Sequence, residues 1–513
     1  MRYHGDGLYQ WDTWCHVGPD GLVHAFYLQQ ARPDGDRSRR DADSLGHATS
    51  RNLIDWEEQP PVVPPAPAGE EGDLVNWTGS TVHGPDGYHL FYTIRSSRDG
   101  GRVQSIGLAT SPDLWTWTKH PEPVLTADGR WYATEQSPGP NGVVDCRDLM
   151  VVKHPSRPGW FGVFATRLAP AAGTGSASVD DELPRGAVFG GAYSEDLVHW
   201  EQTGPVFRSD RDAYSIVEMP DLFELDGRWY LTFLEDNAYG NRDVLGEPEL
   251  SCGTRYAVSD RIEGPYEEPV DNVLLASRGF NGISCRTVMF RDRLHVTYTS
   301  CERELENETK PTFGVLSLPK ELRTVDGRPR LCFADLVAEQ VTARLIELGD
   351  EPEPAEHHGM HESRGRWTRE SGRWVGEIDT AWARRSFAPT ASDVIASVTL
   401  RLEVGVAAGL LVRQVGNRGA VALLDAERQH VSLCTVPRFQ VIDARPWPIE
   451  RGRDYRVRVV ANGEFVEVFL DDELVLQTVW YGSRHGDVGL LVDRGRAEFR
   501  DLELLSLDRD QLN

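Results

Sequence analysis

The chain has 513 residues, enough for two domains and a large buried core. Hydrophobic residues make up 40% and aromatics 9%, an ordinary globular balance, and 15 tryptophans are available for packing or for stacking on the flat faces of sugars. The net charge of −26 argues against nucleic acid and anionic membranes as partners, since both call for a Lys/Arg surface, and it is compatible with a neutral substrate.

The N-terminal MRYHGDGLYQW has no apolar stretch resembling a signal peptide, and no run of about 18 apolar residues occurs, so a cytoplasmic protein without a transmembrane helix is expected. The seven cysteines occur singly with no CxxC pair, which points to reduced thiols and away from zinc. No cofactor is called for, and association into a homo-oligomer is left open.

Taken in chain order, a repeat is visible. Gly46-His47-Ala48-Thr49-Ser50-Arg51-Asn52-Leu53 runs to Trp56, Gly107–Leu114 runs to Trp117, and Gly191–Leu197 runs to Trp200. A worn fourth copy, Arg255–Asp260, runs to Tyr266. Each copy reads as a strand of small residues, a Ser-Asp-Leu-like turn and a strand bearing an aromatic. Between the copies, Asp20-Gly21, Asp86-Gly87, Asp226-Gly227 and the variant Asp292-Arg293 precede aromatic-rich strands, and Asp-Gly between apolar runs marks a hairpin. Such units, with almost no helical periodicity, predict an all-β protein: a five-bladed β-propeller over residues 1–335. Residues 319–350 read as a connector carrying one short helix and residues 351–370 as an exposed loop, with 336–370 as the linker between the domains. Residues 371–513 alternate in about eight short strands, the pattern of a β-sandwich, with hairpins at Asn462-Gly463 and Asp471-Asp472.

Three acidic motifs lie far apart: Trp11-Asp12-Thr13-Trp14, Cys146-Arg147-Asp148-Leu149 and Glu218-Met219-Pro220-Asp221-Leu222-Phe223. In a propeller the inner strands surround one axis, so acids at equivalent places at their starts converge on one mouth. Two carboxylates flanking a sugar bond are the minimum equipment for glycoside hydrolysis. Glu218 has the longer reach and an apolar flank, which suits a general acid of raised pKa. Arg147 beside Asp148 would keep that acid ionised, which suits hydrogen bonding to sugar hydroxyls. Asp12 is then left as nucleophile. Asp221 reads as fixing its strand start rather than doing chemistry. Trp14, Trp77 and Trp131 are candidates for a pocket wall or for packing between blades. His16, His47 and His83 are dispersed, which favours packing or hydrogen bonding over metal ligation. His357, His358 and His361 read as solvated.

Together these residues resemble glycoside hydrolase family 32. Trp77-Thr78-Gly79-Ser80 resembles its WSGS motif, Arg147-Asp148 its RDP, Glu218–Phe223 its ECPDLF, Gly46–Ser50 its GHATS strand, and Leu316–Leu322 the segment ending its propeller. The resemblance spans most of residues 8–335 in order. It implies a five-bladed propeller followed by a β-sandwich, and retaining hydrolysis or transfer of β-fructofuranosyl units without a metal. By position it implies Asp12 as nucleophile, Asp148 as transition-state stabiliser and Glu218 as acid/base. The substrate-binding set would be Trp11, Trp14, Gln29, Trp77, Thr78, Ser80 and Arg147.

The departures concern the sugar more than the chemistry. Trp11-Asp12-Thr13-Trp14 is closer to the WDSW of family 68, the levansucrases and their relatives, which favour transfer. The family's FYQ triplet reads Phe26-Tyr27-Leu28, so its Gln is displaced or absent, with Gln29 nearby. Leu149 replaces the RDP proline, and Met219 the ECP cysteine. The expected substrate is a small carbohydrate: sucrose, a short fructo-oligosaccharide or a difructose anhydride. An arabinofuranosidase on a related propeller is a second enzymatic alternative. A propeller that binds carbohydrate without turning it over is a third.

Overall fold

The computed structural model describes residues 3–5, 7–31, 42, 44–139, 142–169, 186–208, 217–235, 251–278, 282–302, 312–346 and 365–508. Among the described residues it is all-β apart from one turn of 3-10 helix and the four-residue helix Asp335–Ala338 in the expected connector. The chain splits into two compact units whose main boundary falls between Pro329 and Arg330. His357, His358 and His361 lie outside the described residues, as does most of the expected linker.

Four separate four-stranded sheets follow, each with its strands neighbouring one another in sequence order. The first is β1 (Leu8–Val17), β2 (Val23–Ala31), β3 (Ser44–Ser50) and β4 (Trp56–Val62). The second is β5 (Val75–Gly84), β6 (Gly87–Arg95), β7 (Gln104–Ser111) and β8 (Thr118–Lys119). The third is β9 (Cys146–Lys153), β10 (Trp160–Arg167), β11 (Ala187–Ser194) and β12 (Glu201–Phe207). The fourth is β13 (Glu218–Leu225), β14 (Arg228–Glu235), β15 (Ser251–Ser259) and β16 (Val273–Arg278).

Five such sheets were expected, and four are found. The hairpin of β17 (Ile283–Phe290) and β18 (Arg293–Glu302) takes the next place, but its third strand is split. The short β19 (Thr312–Leu316) pairs with Thr299–Glu302 of β18, and β20 (Lys320–Val325) pairs with His295 and Val296. The break falls at Ser317-Leu318-Pro319, where proline has no N–H to give a ladder. Ser317 bridges the gap by bonding to Tyr298 through both its N–H and its hydroxyl. The hairpin still closes the propeller: β1 packs beside β5, β5 beside β9, β9 beside β13, β13 beside β17, and β17 beside β1.

The sequence repeat is the turn between the third and fourth strands of a blade. In Ser111-Pro112-Asp113-Leu114 and Ser194-Glu195-Asp196-Leu197 the serine Oγ accepts from two backbone N–H groups, and the Asp Oδ1 accepts from two more. Leu114 and Leu197 are thereby held at φ of 69° and 68°, an unusual conformation for a bulky residue. Trp117 and Trp200 each donate an indole N–H back to that leucine carbonyl. The Asp226-Gly227 hairpin has positive φ at both turn residues, and Arg291-Asp292 does the same without glycine.

The second unit is sandwich-like, around a core that includes Phe387, Leu410, Leu433, Val457, Val468, Leu490 and Phe499. Its hairpins turn at Gly463 and at Asp471-Asp472, as expected. Four of the expected short strands are instead halves of two long ones, Val394–Val415 and Gly486–Ser506. The first pairs with Asp454–Asn462 through its N-terminal half and with Arg418–Asp425 through its C-terminal half. Gly405 and Gly495 allow the two long strands to bend together. A Cβ on either would come 2.1 Å from a carbonyl oxygen of the other strand, Arg494 O or Val404 O.

The repeated turn is testable. Asp113→Ala and Asp196→Ala should each cost about 0.5–1 kcal/mol, since each removes one polar cap of an exposed turn. The two losses should add in the double variant. Urea unfolding checks this; unchanged midpoints in both variants would mean that the serines hold the turns unaided.

Candidate active site

The site is made by one device repeated around the ring. Every first strand carries a register shift: at Trp11–Trp14 in β1, Trp77–Gly79 in β5, opposite Val163–Ala165 in β9, Glu218–Asp221 in β13 and Ile283–Arg286 in β17. These are β-bulges, which re-aim side chains at the rims of sheets. In four of them one residue is left-handed: Asp12 at φ 51°, Asp148 at 57°, Met219 at 55° and Ser284 at 59°. In β5 the crowding is met by Gly79, where a Cβ would lie 1.7 Å from the Phe91 carbonyl oxygen.

The three acids therefore do not fall at equivalent strand starts. Asp12 is in mid-strand in β1 and shares its bulge position with Asp148. Glu218 stands one residue earlier, matching Arg147 in the preceding blade.

Both oxygens of Asp12 accept hydroxyl hydrogen bonds. Thr78 Oγ1 donates to Oδ2 at 2.7 Å, and Ser284 Oγ donates to Oδ1 at 2.6 Å. Asp148 is buried, its Oδ2 accepting the Met219 N–H at 3.1 Å. Its own N–H is donated to Thr93 Oγ1, whose hydroxyl in turn donates to the Thr78 carbonyl. A chain of contacts thus joins the Asp148 backbone to the residue that holds Asp12.

Arg147 organises the other side. Its Nη1 reaches Asp145 Oδ1 at 2.6 Å and Gln104 Oε1 at 3.3 Å, its Nη2 reaches Glu218 Oε1 at 3.1 Å, and its Nε lies 3.8 Å from Asp148 Oδ2. Burial disfavours its charge, but Glu218, Asp145 and Asp148 outweigh that and hold its pKa above the ordinary arginine value. Asp145 is further fixed by Arg167 Nε at 3.0 Å; burial pushes its pKa up, and the two arginines pull it below the usual range. Glu218 is the open member of the group: its side chain is 28% exposed, against 6% for Asp148.

A second buried arginine was not anticipated. Arg286 of β17 donates to the Pro220 carbonyl through Nη1 and to the Gly79 carbonyl through Nη2 at 3.5 Å, with Asp221 Oδ1 4.0 Å away. Burial lowers its pKa, opposed by the charges of Asp221, Asp148 and Asp12. Asp221 takes the structural part expected of it, its Oδ2 accepting the Thr287 N–H at 2.7 Å. Burial raises its pKa against the pull of Arg286 and Thr287.

Arg147 was expected to keep Asp148 ionised, and it does pull the pKa down, but burial outweighs it: the Asp148 pKa is pushed up to about 6, with the Met219 N–H and Arg286 also pulling down and Asp12 adding to the rise, so the acid is ionised at neutral pH and loses its charge in mildly acidic solution.

The other anticipated residues divide. Thr78 and Arg147 join the cluster. Trp11 and Trp14 are buried in the core between the first and second blades, Trp14 donating to Thr81 Oγ1. Trp77 is half-buried with Arg95 stacked on its ring at 4.4 Å. Ser80 is turned to the backbone of β9, donating to the Leu149 carbonyl and accepting from the Val151 N–H, so it ties two strands together. Gln29 gives its amide to Ser44 within its own blade. Trp131 packs on Tyr132 beneath Arg130. His47 shares a hydrogen bond with His24, while His16 and His83 meet Tyr88 edge-on. Among the described residues no group of three or more His, Cys, Asp or Glu is placed to hold a metal.

Residues 17–164 match the family model described as the glycosyl hydrolases family 32 N-terminal domain. The match takes in Thr78, Arg147 and Asp148, begins after Asp12 and ends before Glu218. No curated protein sequence matches the chain. Several solved structures share its fold over nearly its whole length. A sucrose-6-phosphate hydrolase from Lactobacillus gasseri is 13% identical, with a TM-score of 0.69 over 99% of this chain and 93% of its own. A family 32 β-fructofuranosidase from Bombyx mori is 18% identical, with a TM-score of 0.65 over 98% and 94%. An exo-inulinase from Aspergillus awamori is 16% identical, with a TM-score of 0.69 over 98% and 96%. The matched family and these neighbours are glycoside hydrolases.

The electrostatics of Asp148 make a prediction independent of turnover. With a folded pKa of about 6 above the unfolded value, the native state holds the proton more tightly. Stability is then highest below the unfolded pKa and falls as pH rises through about 6. Asp148→Asn removes that loss, so its thermal midpoint should gain on wild type from pH 5 to pH 7.5. A constant difference across that range would contradict the assignment.

Proposed function

We propose that the protein is a retaining glycoside hydrolase that cleaves β-fructofuranosyl linkages of small sugars. The observation that carries this is the meeting of Asp12, Asp148 and Glu218, from three different first strands, around Arg147 and Arg286. The family match over residues 17–164 and the fructoside-cleaving neighbours support the same reading.

In this mechanism Glu218, more open than Asp148, gives its proton to the leaving glycosidic oxygen. An Asp12 oxygen attacks the anomeric carbon as the C–O bond breaks, forming a fructosyl ester. Glu218, now a carboxylate, takes a proton from water. The water attacks the same carbon, releases fructose and regenerates Asp12. Asp148 stays out of the covalent steps and, ionised above about pH 6, accepts hydrogen bonds from sugar hydroxyls that strengthen in the transition state. A sugar in place of water turns hydrolysis into transfer, a fate favoured by the family 68-like Trp11-Asp12-Thr13-Trp14. The preference for sucrose, short fructo-oligosaccharides or difructose anhydrides rests on a cytoplasmic location, which is part of the proposal.

Product analysis tests it. Purified protein is incubated with sucrose, inulin-type and levan-type oligosaccharides, difructose anhydrides and an aryl arabinofuranoside, beside Asp12→Asn and Glu218→Gln variants. Fructose release should be found and should fall by at least about 10³-fold in both variants. Arabinose release with every fructoside untouched would overturn the sugar assignment.

A further inference from the structure

We infer that Ser284, on the closing hairpin, is a positioning residue for Asp12: with Thr78 it forms a two-hydroxyl clamp that fixes which carboxylate lone pairs are free to attack. The inference deepens the proposed function and rests on Asp12 being its nucleophile. Each carboxylate oxygen has two lone pairs. Ser284 takes one on Oδ1 and Thr78 takes one on Oδ2, which leaves one free on each. A carboxylate bonded on one side only can swing about χ2; bonded on both, it cannot. Near-attack geometry is the part of catalysis most sensitive to such freedom.

The placement of Ser284 is constructed. It is buried, it occupies the same bulge position as Asp12, and it is left-handed at φ 59°. The first strands β5 and β17 flank β1 on its two sides, so the clamp grips Asp12 from both neighbours. Because β17 comes last in the ring, Asp12 is held on both sides only when the end of the propeller chain has docked against its beginning. Catalytic geometry thereby depends on ring closure.

The left-handed backbone supplies an unusually clean test. Glycine adopts that conformation without strain, so Ser284→Gly removes the hydroxyl while the relieved backbone offsets part of the lost hydrogen bond. Two measurements are made on the full chain. In the first, kcat and KM are compared on the fructoside that wild type turns over best. The clamp requires kcat to fall roughly 10- to 100-fold, the worth of a hydrogen bond to a charged group, with KM changed by less than about threefold and the variant still fully folded at the assay temperature. An unchanged kcat overturns the positioning role. In the second, thermal midpoints are read for Ser284→Gly, Asp12→Gly and the double variant. Asp12 is itself left-handed, so glycine is tolerated there too. Non-additive shifts establish the contact, and additive shifts overturn it. If wild type cleaves no fructoside, the functional reading and the positioning role fail together, whereas the cycle still decides whether the two side chains are bonded.

Discussion

Buried negative charge is the constraint around which this propeller is built. Asp12, Asp145, Asp148, Asp221 and Glu218 all border a space that holds the guanidinium groups of Arg147 and Arg286. Carboxylates cannot be taken from water without compensation, so each arginine is shared rather than paired. Arg147 spans Asp145, Asp148 and Glu218, and Arg286 lies among Asp221, Asp148 and Asp12. Asp148, in the field of both arginines, is still raised by burial. It is held near the point where a change of environment alters its charge, whereas Glu218 is the more exposed acid.

The backbone makes this convergence possible. An unbroken strand alternates its side chains between two faces, so consecutive residues such as Arg147 and Asp148 would point apart. The bulge in each first strand breaks the alternation, and left-handed residues at Asp12, Asp148, Met219 and Ser284 pay the conformational cost. The same device explains the offset of Glu218: Met219 occupies the bulge position in β13 and gives its N–H to Asp148, leaving Glu218 to face Arg147.

Much of this was legible in the sequence because it depends on local chemistry. Ser-x-Asp-Leu turns, Asp-Gly hairpins and the three acidic motifs carry their own signals, and Thr78 and Arg147 were found through the motifs that contain them. Ser284 and Arg286 were not. Ile283-Ser284-Cys285-Arg286 has no paired acids or aromatics to single it out, and its part follows from ring closure, which joins residues 272 positions apart. A serine one residue before a cysteine in an apolar strand says nothing of a left-handed backbone. Ser80 and Gln29 show the converse: the motifs point to a substrate, and the hydrogen bonds of these side chains go to neighbouring strands. In the second unit, periodicity located apolar segments but not their continuity, because the bend at Gly405 and Gly495 resembles a turn when only composition is read.

The division of labour between Asp12 and Glu218 is the centre of the account, and covalent trapping addresses it directly. A Glu218→Ala variant would be incubated with a fructofuranosyl donor whose leaving group departs without protonation, then digested and examined by mass spectrometry. Without the base that activates water, the glycosyl ester should accumulate, and the added sugar should map to the peptide containing Asp12. Turnover with no adduct, or an adduct on another carboxylate, would contradict it.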